Sequence, residues 1–140
     1  MAWQDKVVER DTRTAMWEIL VPTEKRVKTK MAETVGFILA DTEYQLARWQ
    51  IANAYSTRYH RVWDAKVRAI TGGLTIMQPV KGDWLSNEGE LFRERMIPVR
   101  LIATRDQINA IIDMTMEYYD QLAVLCYKVS DEVILKHKSI

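Results

Sequence analysis

The densest run of residues able to handle a ligand is Gly72-Gly73-Leu74-Thr75-Ile76-Met77-Gln78-Pro79-Val80-Lys81-Gly82-Asp83-Trp84. Glycines at the start of a strand let a ligand or another backbone approach closely. Lys81 offers a charge there, and Trp84, the tryptophan least easily assigned to packing, offers a stacking surface. The same run also fits a helix C-cap followed by a hairpin. It is not a Walker loop, because the G-x-x-x-x-G-K-S/T spacing is absent. Just upstream, Arg58-Tyr59-His60-Arg61, with Lys66 and Arg68 one to two turns later, gathers cations around a helix start. Such a start can hold a phosphate or carboxylate. It equally fits the solvated side of an amphipathic helix, with Asp64 partly neutralising it.

Other chemistries find little support. His60 and His137 are the only histidines, and neither has a Cys or His at ligand spacing, so no metal site is expected. Cys126, the single cysteine, excludes an internal disulfide and lies in an apolar strand, where a thiol behaves as a small hydrophobe. Between Glu43 and Glu88 the only carboxylates are Asp64 and Asp83, so paired-carboxylate hydrolysis would need distant segments. No motif calls for a cofactor. Tyr127, followed by Lys128, is placed to line a pocket.

The chain that must position these residues has 140 of them, with 20 Lys+Arg against 19 Asp+Glu and 48% apolar residues. That length predicts one domain over residues 1–140. The even charge argues against nucleic acid as a partner, since neutralising several phosphates needs a local excess of cations. No apolar run approaches the ~18–20 residues of a membrane span, and the first ten residues lack the cationic start and apolar block of a signal peptide. The expected setting is cytoplasmic.

Gly and Pro mark the joints. The stretch from Phe37 to Thr71, and that from Val99 to the end, contain neither. Trp17-Glu18-Ile19-Leu20-Val21 predicts a short strand stopped by Pro22. Val27, Met31, Val35, Ile38, Leu46 and Trp49 predict a helix over residues 27–53. A second helix, capped by Ser56 or Thr57, places Tyr59, Val62, Trp63, Val67 and Ile70 on one face and ends at Gly72 in the left-handed conformation. Residues 74–80 are strand-like, with Pro79 favouring an edge or bulge. Ser86-Asn87-Glu88-Gly89 is a turn.

From Leu91 to Ala103 the positions Ile97, Val99, Leu101 and Ala103 predict a half-buried strand, with Arg100 turned the other way. Thr104-Arg105-Asp106-Gln107 makes a capping box. The helix it opens carries Ile108, Ile111, Ile112, Thr115, Tyr119 and Leu122 at helical spacing. Residues 123–129 predict a strand and 133–137 a last short one. The order is that of a ferredoxin-like βαββαβ fold: α+β, with an antiparallel sheet and both helices on one face. Such a sheet leaves its other face open, and a second copy is the expected cover.

Tyr119-Asp120-Gln121-Leu122-Ala123-Val124-Leu125-Cys126-Tyr127-Lys128 resembles a segment of the phage-encoded S-adenosylmethionine lyases, formerly called hydrolases: aromatic-acid-Gln-x-small-Val-Leu-x-Tyr-Lys. The likeness extends to Ile19-Leu20-Val21, Arg68-Ala69 before Gly73-Leu74, and Val99-Arg100-Leu101. It spans residues 17–21 and about 58–128. The resemblance implies a fold similar to trimeric PII-type signalling proteins, with ligand sites between the subunits of a homo-oligomer. It implies a lyase that converts S-adenosylmethionine to homoserine lactone and methylthioadenosine by intramolecular displacement.

For such an enzyme, placement near the glycine strand points to Gln78 and Tyr59 orienting the ligand, Arg61 holding its carboxylate and Trp84 stacking on adenine or the sulfonium. Gly73, Lys81 and Tyr127 complete the binding site. Two departures stand out. Residues 23–57 have no counterpart and read as an inserted or lengthened helix. The strand after the glycine holds Gln78 where the family places a functional Glu. An oligomeric, non-catalytic binder of an adenine-nucleotide-like ligand is the alternative, and a structural oligomer assembled through the long helix a third reading.

Overall fold

Alternation decides the first strand. In β1 (Ala15–Pro22) the odd residues Ala15, Trp17, Ile19 and Val21 are buried on one face. The structure, a computed structural model, describes residues 13–25, 53–85, 87–89 and 91–138, with the side chains of Trp84, Leu91 and Phe92 outside that description. The helix expected over residues 27–53, and with it most of the segment expected as an insertion, lies almost wholly outside the described residues.

Helix α1 (Thr57–Thr71) starts where the Ser56 hydroxyl accepts from the Tyr59 amide at 3.1 Å and ends at Gly72, φ 86°. That conformation suits a residue without a Cβ. Its buried stripe is narrower than the spacing predicts: Trp63 and Val67 are buried and Tyr59 half-buried, whereas Val62 and Ile70 are exposed. Residue 62 lies one helical step, about 100°, away from the Trp63 line and so falls at the edge of the stripe.

Two short strands, β2 (Thr75–Ile76) and β3 (Val80–Leu85), follow one another along the same edge of β4 (Leu91–Ala103). Ile76 stands opposite Val99 and Val80 opposite Met96, so four steps on one strand meet three on the other. The extra residue is a bulge around Gln78 and Pro79, where proline cannot donate to the ladder. The Met77 amide still reaches the Pro98 carbonyl at 2.9 Å. A turn with Gly89 at φ 80° joins β3 to β4.

Helix α2 (Arg105–Tyr118) carries the expected capping box. The Gln107 amide donates to the Thr104 hydroxyl at 3.2 Å, and the Thr104 amide donates to Gln107 Oε1 at 2.9 Å. The Gln107 side-chain amide also donates to the Ile70 carbonyl at 3.1 Å, tying the start of α2 to the end of α1. The helix stops at Tyr118, because Asp120 turns to φ 49°. Leu122, placed on this helix by its spacing, is therefore beyond it and 80% exposed. Strand β5 is Cys126–Ser130, shorter at its start than the sequence predicts. Residues 131–138 form no strand, contrary to the expectation for 133–137: among the described residues no strand lies beside them to pair with.

The sheet order is β2-β4-β1-β5, with β3 beside β4, and every pairing is antiparallel. This is the ferredoxin-like α+β arrangement, its second strand broken in two. One core joins the odd residues of β1, Val99, Leu101 and Ala103 of β4, Trp63 and Val67 of α1, and Ile108 and Ile111 of α2. Both helices therefore cover one face. Each fully buried Ile or Leu contributes roughly 1.5–3 kcal/mol by leaving water. The Trp17 indole donates to the Ala103 carbonyl at 3.0 Å, and that of Trp63 to the Thr115 hydroxyl at 3.0 Å, so neither buried donor is stranded. Among the described residues no helix is long and apolar enough to cross a membrane.

Candidate functional site

The fold sorts the expected site residues into separate places. Tyr59 and Arg61 sit in the first turns of α1, and Gly73 follows its other end. At 1.5 Å per residue Gly73 lies about 21 Å from Tyr59 and about 18 Å from Arg61 along the helix. Gln78 is in the bulge, and Lys81 and Trp84 are on β3, their backbones opposite Arg95 and Phe92. Tyr127 is on β5, at the other edge of the sheet. Three strand spacings of about 4.8 Å put the two edges roughly 14 Å apart. One copy of the chain does not bring all seven residues together.

One subset does converge. The Thr23 amide donates to the Arg95 carbonyl at 3.2 Å and its hydroxyl to the same oxygen at 2.9 Å. The Tyr55 amide in turn donates to the Thr23 carbonyl at 2.9 Å. Lys81, Arg95, Thr23 and Tyr55 thus follow one another across the sheet, and Ser56 opens α1 immediately after. Lys81 and the cationic start of α1 share one end of the molecule, and Gly73 lies at the other.

Glu24 belongs to the same end, where it bridges to Ala54. Burial pushes its carboxyl above the usual range, opposed by a hydrogen bond with Thr23 and by the nearby Arg95 charge. Sequence reasoning looked for a carboxylate after the glycine and missed this one, because it arrives from the end of β1.

Beneath the start of α1 lies an aromatic cluster. The rings of Tyr59 and Tyr118 stack with centroids 4.2 Å apart, and those of Tyr55 and Tyr59 at 4.8 Å. Tyr119 is fully buried, with its hydroxyl 2.7 Å from His60 Nδ1. Desolvation pushes the Tyr119 phenol far above its usual range and lowers His60, with Asp64 acting against the latter shift. The Tyr59 hydroxyl donates to the Tyr118 carbonyl, so its proton is already engaged.

The face of the sheet away from the helices holds a polar row that the sequence only half disclosed. Register places Thr75, Arg100, Glu18 and Tyr127 side by side across β2, β4, β1 and β5. Arg100 Nε donates to Glu18 Oε1 at 3.0 Å, with the Glu18 side chain 8% and that of Arg100 43% exposed. A charge inside the apolar strand Ala-Met-Trp-Glu-Ile-Leu-Val-Pro was the available signal. Cys126 faces the core instead, half-buried, and burial pushes its thiol up to about 11. Among the described residues no group of three or more His, Cys, Asp or Glu is placed to hold a metal ion.

A phage SAM lyase in complex with S-methyl-5'-thioadenosine superposes with TM-score 0.54 at 11% identity, over 96% of this chain and 97% of that one. The likeness is one of fold. CutA from Synechococcus elongatus is also similar, with TM-score 0.44 at 12% identity, over 84% of this chain and 75% of that one. No family model and no curated protein sequence matches the chain.

Proposed function

We propose that the protein is an S-adenosylmethionine-degrading lyase that works at a site between copies of the chain. The observation that carries the reading is the fold likeness over nearly the whole length of both chains to a SAM lyase holding S-methyl-5'-thioadenosine. The segment of residues 119–128, which follows α2 and runs into β5, adds a sequence resemblance to the same family.

In the reaction the substrate's own carboxylate oxygen attacks the γ-carbon of its methionine chain. The carbon–sulfur bond breaks, and the sulfonium leaves as the neutral thioether of methylthioadenosine, with homoserine lactone as the second product. No water or proton is consumed. The protein's task is to fold the chain into an attacking conformation, and positioning of this kind contributes several kcal/mol to lowering a barrier. The Arg61 cation holds the carboxylate end, and Gln78 and the Tyr59 oxygen orient the ligand. Lys81 and Trp84 of the same copy, with Gly73 and Tyr127 of a neighbouring copy, are its remaining contacts. Glu24, half-buried at the same end as Lys81, supports the substrate cation there.

The test is direct. Purified protein incubated with S-adenosylmethionine gives methylthioadenosine and homoserine lactone on chromatography, and absence of methylthioadenosine overturns the lyase reading. Intact S-adenosylmethionine retained by the protein without turnover would assign it instead to the non-catalytic binders, a reading favoured by Gln78 standing where a glutamate is expected.

A further inference from the structure

Glu18 and Arg100 place a charged pair between apolar pairs on the sheet face away from the helices. On one side of them Met16 faces Ile102, and on the other Leu20 faces Pro98. Met16, Leu20 and Ile102 are half-buried and Pro98 is buried. An ion pair in such surroundings adds little to folding, because desolvation offsets its attraction and a well-packed apolar pair serves as well. Its presence therefore calls for another reason.

The hydrogen bonding supplies one. Glu18 Oε1 takes the Nε proton of Arg100 at 3.0 Å, and the Arg100 side chain remains 43% exposed. A guanidinium fixed through Nε keeps its Nη1–Nη2 edge whole, and the two parallel N–H groups there match the two oxygens of a carboxylate. Thr75 stands directly opposite Arg100 on β2, exposed, with the two Cβ atoms roughly 5 Å apart. Among the described residues neither Nη group of Arg100 nor the Thr75 hydroxyl has a hydrogen-bond partner.

We infer that Arg100, with Thr75 beside it, binds a small organic carboxylate that carries an apolar body. Glu18 is the positioning residue: buried beside the guanidinium, it holds the fork in place and balances its charge. A pair already balanced favours a singly charged oxyanion over doubly charged phosphate, whose repulsion from Glu18 is twice as large. The Met16–Ile102 and Leu20–Pro98 pairs give the apolar body a surface to cover. The site goes beyond the proposed lyase reading. It lies on the helix-free face, whereas Arg61, assigned there to the substrate carboxylate, stands on α1.

Hexanoate is the probe, followed through the NMR signals of the full chain. Titration should move the signals of Glu18, Thr75 and Arg100 together and saturate. Hexylammonium and inorganic phosphate at the same concentrations should leave them in place. Absence of a saturable shift, shifts confined to the start of α1, or phosphate binding as tightly as hexanoate would each overturn the site.

Three variants, each checked by its dispersed spectrum, separate binding from structure. Arg100→Lys keeps the charge and removes the fork, so hexanoate should bind about ten-fold more weakly or worse, the scale of one charged hydrogen bond. Thr75→Ala alters an exposed side chain and should weaken binding about three-fold, the scale of a neutral one. Unchanged affinity in either folded variant would overturn the site. Glu18→Gln keeps an acceptor for Nε and removes the negative charge, so phosphate should now bind at least as tightly as hexanoate. An unchanged preference would overturn the role given to Glu18. Methylthioadenosine formation distinguishes this site from the proposed function. Hexanoate binding without turnover leaves the site standing and sinks the lyase, whereas competitive inhibition of turnover by hexanoate would make the two sites one and overturn the second.

Discussion

Tyr59 and Tyr118 bind each other at both ends. The Tyr118 hydroxyl donates to the Tyr59 carbonyl at 2.8 Å, the Tyr59 hydroxyl donates to the Tyr118 carbonyl, and the two rings stack between. The arrangement clamps the first turn of α1 to the last turn of α2. Each hydroxyl donates to a backbone oxygen near a helix end, and a hydrogen bond of this kind contributes about 1 kcal/mol net. Tyr59→Phe and Tyr118→Phe should therefore each lower stability by about 1 kcal/mol, read as a shift of the urea midpoint. Because the two bonds brace one junction, the double variant should lose less than the sum of the two singles. If Tyr59 also orients a ligand, Tyr59→Phe weakens binding of S-adenosylmethionine and Tyr118→Phe does not.

Glu18 and Arg100 face each other across β1 and β4 with unequal access to water. Removing the arginine leaves a buried carboxylate without its partner, whereas removing the glutamate leaves a cation that can still reach solvent. Breaking a fully buried pair costs about 3–5 kcal/mol, and the half-exposure of Arg100 lowers that figure. Arg100→Ala should cost about 2–3 kcal/mol in urea unfolding, on that scale. Glu18→Gln should cost about 1 kcal/mol, the scale of one exchanged hydrogen bond. Equal losses would mean that Glu18 is solvated in solution.

Acid should loosen the protein through His60. Its imidazole packs among Tyr55, Tyr119 and, one turn along its own helix, Asp64. Burial lowers its pKa below the ordinary 6.5 by disfavouring the cation, with Asp64 only partly opposing. The unfolded chain consequently takes up a proton at higher pH than the folded one. Stability conferred by the neutral ring is present above about pH 7 and declines as pH falls through the unfolded value toward the lower folded one. Urea midpoints measured between about pH 7 and pH 5 should fall for the parent protein. Replacing His60 with Gln should flatten that fall, and an unchanged slope would place the acid sensitivity in the carboxylates.

Much of this architecture was legible in the residues because local rules and packing agree. The Thr104–Gln107 capping box, the left-handed Gly72 and the alternation through Val99, Leu101 and Ala103 each specify their own geometry. Where the reading failed, a partner outside the segment decided. Leu122 kept helical spacing, but Asp120 had already turned the chain. Residues 133–137 have strand-forming types and no neighbouring strand among the described residues. The site was harder still. Glu24 reaches the Lys81 end only through the pairing of Thr23 with Arg95, and Glu18 joins Tyr127 only through register. Neither contact has a trace in spacing along the sequence.

Cys126 gives a chemical readout of the same core. It lies opposite Ile19 on the helix-covered face of β5, and burial pushes its thiol from 9.0 up to about 11, with the Arg105 charge opposing. Alkylation proceeds through the thiolate, so a rise of two pH units lowers the reactive fraction by about 100-fold near pH 8. Iodoacetamide should label Cys126 about 100 times more slowly in native protein than in urea, before any steric shielding is counted. Because the fold holds the thiol protonated, the linkage runs toward instability in base: stability is intact below about pH 9 and lost as pH climbs toward 11. Cys126→Ala should remove the part of that alkaline loss due to the thiol, leaving the part due to Tyr119. Native labelling as fast as in urea would mean that β5 leaves the sheet readily, and with it the edge on which Tyr127 stands.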